Sequence, residues 1–344
     1  MLFNMIRFSR KTIVAVAAAA AMTLTACSEA ESNNASTSET QASASATTAA
    51  AENGTVTVTD NYGEKTVPTP PKRVVALDNR TFELLDSWGV KPVAAPKKLV
   101  SKDVPGLRDN DDIADIGNHK EPNLEIIVAS DPDVIISGQR FEKYDDEIQK
   151  LVPNAVLVDF EPRDDEPFDR ELIRQTLELG EIFGKQAEAE KTVEDFTKAV
   201  QRVRDAYDPA QTVMAVNVSG GEIGYVAPGI GRTFGPLFDL VGFTPALKIE
   251  NASSDHKGDD ISVEAIADSN PDWIFALDRD AAIKKEGESP AALSVLSDSA
   301  ALQNVTAIKE NHVYVAPQDT YINESILTYT EILNEIADKL EAAK

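Results

Sequence analysis

The chain has 344 residues, 42% hydrophobic and 26% charged, a globular composition long enough for two domains of ordinary size. Its 58 acidic residues outnumber 33 basic ones, giving a formal net charge of −25. That field excludes nucleic acid and anionic lipid headgroups as partners, and it repels any anionic solute that does not meet a local cluster of arginine or lysine. One cysteine leaves no disulfide framework to consider.

At the N-terminus, Arg7, Arg10 and Lys11 precede a short apolar run over residues 12–23. A helix needs ~20 apolar residues to span a bilayer, so this run with its basic flank reads as a secretory signal. The run ends in Leu24-Thr25-Ala26-Cys27, which resembles the lipobox of bacterial lipoproteins. The resemblance implies that residues 1–27 are signal peptide and lipobox, and that lipidated Cys27 anchors the chain to the extracytoplasmic face of the cell membrane. Residues 28–54 contain no aromatic or large aliphatic side chain. They cannot bury enough apolar surface to offset ordering entropy and read as a disordered tether.

The folded part begins with an apolar run at residues 74–77, predicted as a strand. Arg80-Thr81-Phe82 then leads into a helix and Gly89. A short helix from Asn123 follows, then Asp131-Pro132-Asp133, a buried strand at residues 134–136, and Arg140 in the next loop. Residues 188–207 carry Val193, Phe196, Val200, Val203 and Tyr207 at spacings of three and four, one face of an uninterrupted helix. Asp208-Pro209 stops it. Beyond it the pattern repeats. A strand at residues 213–216 leads through a glycine-rich loop to Arg232-Thr233-Phe234, a helix and Gly242. A helix from Ser262, Asn270-Pro271-Asp272, a strand at residues 273–275 and Arg279 complete the copy. The second pair of segments lies 139 residues after the first, and Arg232 lies 152 after Arg80. Two matched pairs in one order predict two lobes of one α/β fold with mainly parallel sheets, residues 55–187 and 209–344, joined by a helix over 188–208.

Several phrases together carry a family resemblance. They are Ile136-Ser137-Gly138-Gln139-Arg140, Gly229-Ile230-Gly231-Arg232-Thr233-Phe234-Gly235, His256 ahead of Ile261-Ser262-Val263-Glu264, Leu277-Asp278-Arg279, and Val313-Tyr314-Val315 leading to Tyr321. From about Val56 onward the chain resembles the helical-backbone class of ABC-importer binding proteins, nearest its ferric-catecholate siderophore branch. The resemblance implies a class III periplasmic-binding-protein fold, two Rossmann-like lobes on a backbone helix. It also implies a monomer without a permanent cofactor. Such a monomer captures an iron(III)-siderophore complex and delivers it to an ABC permease with its ATPase subunits.

In open α/β sheets, ligands sit outside the carboxyl ends of the strands. Arg140 and Arg279 directly follow buried strands, and Arg232 lies in the glycine-rich loop, so the three are expected to converge on one anionic solute. Their planar forks suit it. Arg80, the repeat partner of Arg232, is a further candidate. Tyr225 reads equally as a ring for stacking on a catechol or as core. The resemblance implies that His256 and Tyr321 bind iron directly where a siderophore supplies four donors, a role that suits imidazole and phenolate. Glu125 and Glu264 both fall in the first turn of a short helix, where a carboxylate is favoured. The resemblance adds docking on arginine pockets of the permease, one acid per lobe.

No GxSxG, P-loop, HExxH or CxxC motif is present, which speaks against a hydrolytic or dinucleotide-dependent enzyme. A bare-metal binder would gather several histidines, and only His119, His256 and His312 occur. Haem or cobalamin in the same fold are the alternatives. An arginine cluster gains nothing from neutral cobalamin, while haem could take His256 or Tyr321 as its axial ligand.

Overall fold

The computed structural model describes residues 54–284 and 287–344. The signal segment, Cys27 and the tether lie outside the described residues, apart from Gly54, which opens the first strand. That strand, β1 (Gly54–Asp60), pairs antiparallel with β2 (Gly63–Thr69). The turn places Gly63 at φ 115°, a conformation that favours glycine. This hairpin is absent from the sequence-based expectations, although its alternating Thr and Val carry the strand period.

The first lobe runs β3 (Val74–Ala76), α1 (Phe82–Ser87), β4 (Ala94–Ala95), α2 (Pro105–Arg108), β5 (Ala114–Asp115), α3 (Leu124–Ala129), β6 (Val134–Ser137), α4 (Asp145–Leu151) and β7 (Val156–Asp159). Its five strands form one parallel sheet in the order β5-β4-β3-β6-β7. Every residue of β3 and β6 is buried, as a parallel sheet covered on both faces requires. Two long helices follow, α5 (Phe168–Phe183) and α6 (Gln186–Ala206), hinged at Gly184 in a left-handed conformation.

The second lobe runs β8 (Thr212–Ser219), β9 (Glu222–Tyr225), α7 (Gly235–Leu237), β10 (Thr244–Pro245), β11 (Asp259–Asp260), α8 (Val263–Ser269), β12 (Trp273–Asp278), α9 (Arg279–Ile283), α10 (Ala292–Ser297), α11 (Thr306–Lys309) and β13 (Val313–Val315). It ends with α12 (Thr320–Asn323) and α13 (Ile326–Ala342). The sheet order is β11-β9-β8-β12-β13, with β10 beside β8. The two lobes are thus α/β units of one architecture.

The repeat is visible in backbone detail. Val74 pairs with Val134 between β3 and β6, and Val213 pairs with Trp273 between β8 and β12, each 139 residues on. Asp131 and Asn270, ahead of the two Pro-Asp turns, have matching positive φ of 43° and 42°. In each turn the aspartate clamps the start of the inner strand. Asp133 accepts from the Lys72 and Arg73 backbone N–H groups at 2.7 and 2.9 Å, and Asp272 from that of Thr212 at 2.7 Å. The offset grows from 139 to 152 because β9 folds back antiparallel on β8 before the chain reaches Arg232.

The predicted joining helix is α6, shifted two residues toward the N-terminus. Tyr207 leaves the helix in an extended conformation as the chain approaches Pro209. The stripe Phe196, Val200 and Val203 is buried. It packs with α5 and with α13, whose capping box is Ser325 with Thr328. One apolar cluster runs from Val74 and Val134 through α6 to Phe234 and Phe275, so both lobes share a core. Helix α6 is therefore one member of a three-helix seam.

The two aspartate clamps lie in different lobes and share no partner. Asp133→Ala and Asp272→Ala are each expected to lower unfolding free energy by about 1–2 kcal/mol. The double variant should equal the sum within about 0.5 kcal/mol in urea denaturation. A loss well beyond the sum contradicts independent clamps.

Candidate functional site

Four arginines gather where β3, β6, β8 and β12 end. In the first lobe, Asp78 follows β3 and accepts from the Arg80 backbone N–H at 3.0 Å. Arg80 turns inward and donates from Nη1 to both carboxylate oxygens of Glu161, just beyond β7, at 2.8 and 2.9 Å. Arg140 stands beyond β6 after Gly138 and Gln139, both at positive φ. Its Nε donates to Gln139 Oε1 at 3.2 Å. Among the described residues no carboxylate lies within ion-pair distance of Arg140.

In the second lobe, Arg232 rides a turn that only glycine permits. A side chain on Gly231 would meet the Ala227 backbone at 2.6–2.7 Å. Arg232 donates through Nε and Nη2 to the two oxygens of Glu324 at 3.1 and 2.7 Å, and through Nη2 to the Tyr321 carbonyl at 2.7 Å. Arg279 opens α9 and donates to Ser219 Oγ at 3.1 Å. Its nearest carboxylate, Asp280, is 4.0 Å away and holds Lys284 at 3.0 Å. Its Nε is buried without a hydrogen-bond partner.

Tyr321 draws the cluster together. The guanidiniums of Arg232 and Arg279 lie 4.3 and 5.0 Å from its ring centre. Burial, then the charge of Arg232, pulls the Arg140 pKa below its ordinary value, against the opposite pull of Tyr321 and Glu324. The first lobe's Arg140 therefore faces this group across the cleft. Glu324 is deeply buried. Burial disfavours its charge, but Arg232, Arg80 and the Thr233 hydroxyl together hold its pKa below the usual value. Thr233 donates to it at 2.6 Å. Both residues have left-handed backbones, φ 63° and 32°, strained for non-glycine residues and costing of order 1–3 kcal/mol each.

The Tyr321 segment is tied to the first lobe. Asn79 donates to the Ile322 carbonyl at 2.8 Å, and Ser101 to Asp319 at 2.9 Å. Glu83 of α1 accepts from Asn323 and Thr328, each at 3.1 Å, and from Ser325. A cavity of about 250 Å³ beside Arg279 is lined by Lys102, Asp278, Asp280, Lys284 and Gln318, among others.

The four candidate arginines and Tyr321 therefore come together, with Arg80 as deep in the group as Arg232. Tyr225 is corrected. It is buried at 2% exposure and donates to the Leu247 carbonyl at 2.7 Å, so its ring is core and presents no face to a ligand. His256 stands on an exposed loop, its ring 3.8 Å from Asp255. Its carbonyl accepts from Asn217 of β8 at 2.8 Å, two residues before the Ser219 that holds Arg279. No contact joins His256 to Tyr321. His312 stacks on Trp273 at 4.1 Å, at the far end of β12. Glu125 and Glu264 are exposed in the first turns of α3 and α8, capped by Asn123 and Ser262. Among the described residues no cluster of three His, Cys, Asp or Glu forms a metal site.

Sequence reasoning missed Glu161 and Glu324. Each follows the strand that neighbours the Arg-bearing one, β7 or β13, but in a chain with 58 acids neither stands out.

A family model described as "Periplasmic binding protein" matches residues 74–320. Ferric-anguibactin-binding protein FatB of Vibrio anguillarum is 28% identical over 280 residues, covering 81% of this chain and 85% of FatB. Petrobactin-binding protein YclQ of Bacillus subtilis is 26% identical over 249 residues, covering 71% of this chain and 74% of YclQ. The crystal structure of YclQ superposes with a TM-score of 0.72 at 25% identity, covering 84% of this chain and 99% of that one.

In the first lobe, three carboxyls resist ionisation. Burial pushes Asp145 up to about 7 against its bond from Ser137, Glu161 up to about 7 against Arg80, and Asp78 up to about 6 against Arg80. Their folded pKa values lie above the unfolded ones. Their contribution to stability is thus complete below about pH 4 and lost as pH rises through about 7. Tm is expected to be higher at pH 5 than at pH 8. Asp145→Asn should flatten that slope and exceed wild type at pH 8 by on the order of 2 kcal/mol. An unchanged slope in Asp145→Asn contradicts the assignment.

Proposed function

The chain belongs to the periplasmic binding protein family, and from that premise we propose that it captures a catecholate-type ferric siderophore outside the membrane and delivers it to an ABC importer. The carrying observation is the arginine cluster. In a protein of net charge −25, four guanidiniums from two lobes meet at the strand ends where open α/β sheets take ligands. An anionic iron(III) complex matches that local field. Planar, permanently charged forks suit catecholate oxygens. The relatives support the reading, since FatB is named for ferric anguibactin and YclQ for petrobactin.

In this reading Arg140 and Arg279 contact the complex. Tyr321 and His256 offer a hard oxygen and an imidazole nitrogen to iron that a four-donor siderophore leaves unsaturated. Glu125 and Glu264, one exposed acid per lobe, dock on the permease, and Cys27 tethers the monomer to the membrane through its lipid. The protein works as a binding component without a resident cofactor and not as an enzyme.

Calorimetric titration of the chain lacking residues 1–27 tests this. Arg140→Ala and Arg279→Ala are each expected to weaken ferric catecholate binding tenfold or more, as loss of charge-assisted hydrogen bonds implies. A neutral ferric trihydroxamate should change less than about threefold. Equal losses for both classes contradict the electrostatic reading, and tight haem binding with no catecholate response overturns the ligand. Glu125→Ala with Glu264→Ala should leave affinity unchanged while lowering cellular iron uptake. Unimpaired uptake removes the docking role.

A further inference from the structure

The four arginines sort into two repeat-related pairs with different electrostatic fates. Arg80 and Arg232 are each clamped bidentately by a glutamate, Glu161 and Glu324. Both glutamates come from the segment after the strand that neighbours β6 or β12. Arg140 and Arg279 are the other repeat pair. Arg140 has no carboxylate within ion-pair distance among the described residues, and Arg279 has only Asp280 at 4.0 Å, which already holds Lys284 at 3.0 Å. Glu324, held ionised by Arg232 and Arg80, thus cancels one of the four positive charges before any ligand arrives, and Glu161, raised by burial to about 7, cancels a second only as it ionises. Such pairing is not a by-product of crowding at the surface. Glu324 is 3% exposed and is held at a strained left-handed backbone by Thr233, itself strained. An observed outlier of this kind points to a positional role.

We propose that Glu161 and Glu324 are specificity-determining residues that hold the cleft at low positive charge, so that it selects ferric complexes of low net charge over the more highly charged ones. The inference rests on the ferric-catecholate reading and narrows its substrate class. Iron(III) with three catecholates carries three negative charges, and with two it carries one. Four free guanidiniums would favour the former. With part of that charge already neutralised, the advantage of the extra charges shrinks while their desolvation cost remains. At an effective dielectric of ~20, one charge ~10 Å from the ligand alters affinity on the order of tenfold per ligand charge. The two complexes therefore respond unequally to each glutamate.

The test is the ratio of dissociation constants for a ferric tris-catecholate and a ferric bis-catecholate, measured at pH 8, where Glu161 is ionised, on wild type, Glu324→Gln and Glu161→Gln. Wild type should bind the bis-catecholate more tightly, and each Gln variant should move the ratio toward the tris-catecholate by tenfold or more. A shift that shrinks with added salt identifies it as charge. If the glutamates only position their arginines, both complexes weaken together, the ratio stays fixed, and the proposal is overturned. Should Glu324→Gln fail to fold, Glu161→Gln at the more accessible pair gives the same readout. A wild type that binds neither complex overturns the ferric-catecholate reading instead, a distinct result.

Discussion

Guanidinium groups brought together out of water repel one another, and a buried charge without a counter-charge costs several kcal/mol. This constraint shapes the cleft. Two of its arginines are paired with glutamates supplied from within each lobe, and the other two, Arg279 with only the distant Asp280, are left to whatever enters. The chain as a whole is strongly acidic, so the cluster is a local inversion of the global field. An anion approaching from bulk meets repulsion everywhere except where the strand ends converge.

The need to supply Glu324 explains much of the second lobe's last segment. Helix α12 carries Tyr321 under two guanidiniums, and the chain then bends at Glu324 through a left-handed backbone. On both sides of that bend it is held by the first lobe, Asn79 and Glu83 before it and Glu83 again after it, and α13 runs back along α6. Burial raises the pKa of Glu83, against the hydroxyls of Ser325 and Thr328 that bond to it. The floor of the cleft thus belongs to both lobes. With one apolar cluster running through α6 and α13, large hinge motion would have to break buried contacts. The ligand is met by an arrangement that is largely preformed, which reduces the ordering cost of binding.

The architecture was legible in the sequence because repetition is a property of sequence. The Pro-Asp turns, the buried strands after them and the arginines that end them recur at constant spacing, and the structure places them in matching registers. The convergence of Arg140, Arg232 and Arg279 followed from one rule about strand ends. What could not be read was partnership. Glu161 and Glu324 acquire meaning only when the fold brings them 81 and 92 residues along the chain to an arginine. Tyr225 looked equally suited to stacking and packing. Its hydroxyl bond to Leu247, set by the β8–β9 hairpin, decided for packing. The hairpin β1–β2 went unread because its two strands are half exposed and directly follow a polar, Ala- and Ser-rich tract.

A crystal structure of the chain lacking residues 1–27 with a ferric bis-catecholate addresses the central claim most directly. The account predicts the complex at the carboxyl ends of β3, β6, β8 and β12. Arg140 and Arg279 should lie within hydrogen-bond distance of catecholate oxygens, while Arg80 and Arg232 keep their glutamates. A complex bound elsewhere, or an Arg232 that abandons Glu324 for the ligand, would contradict it.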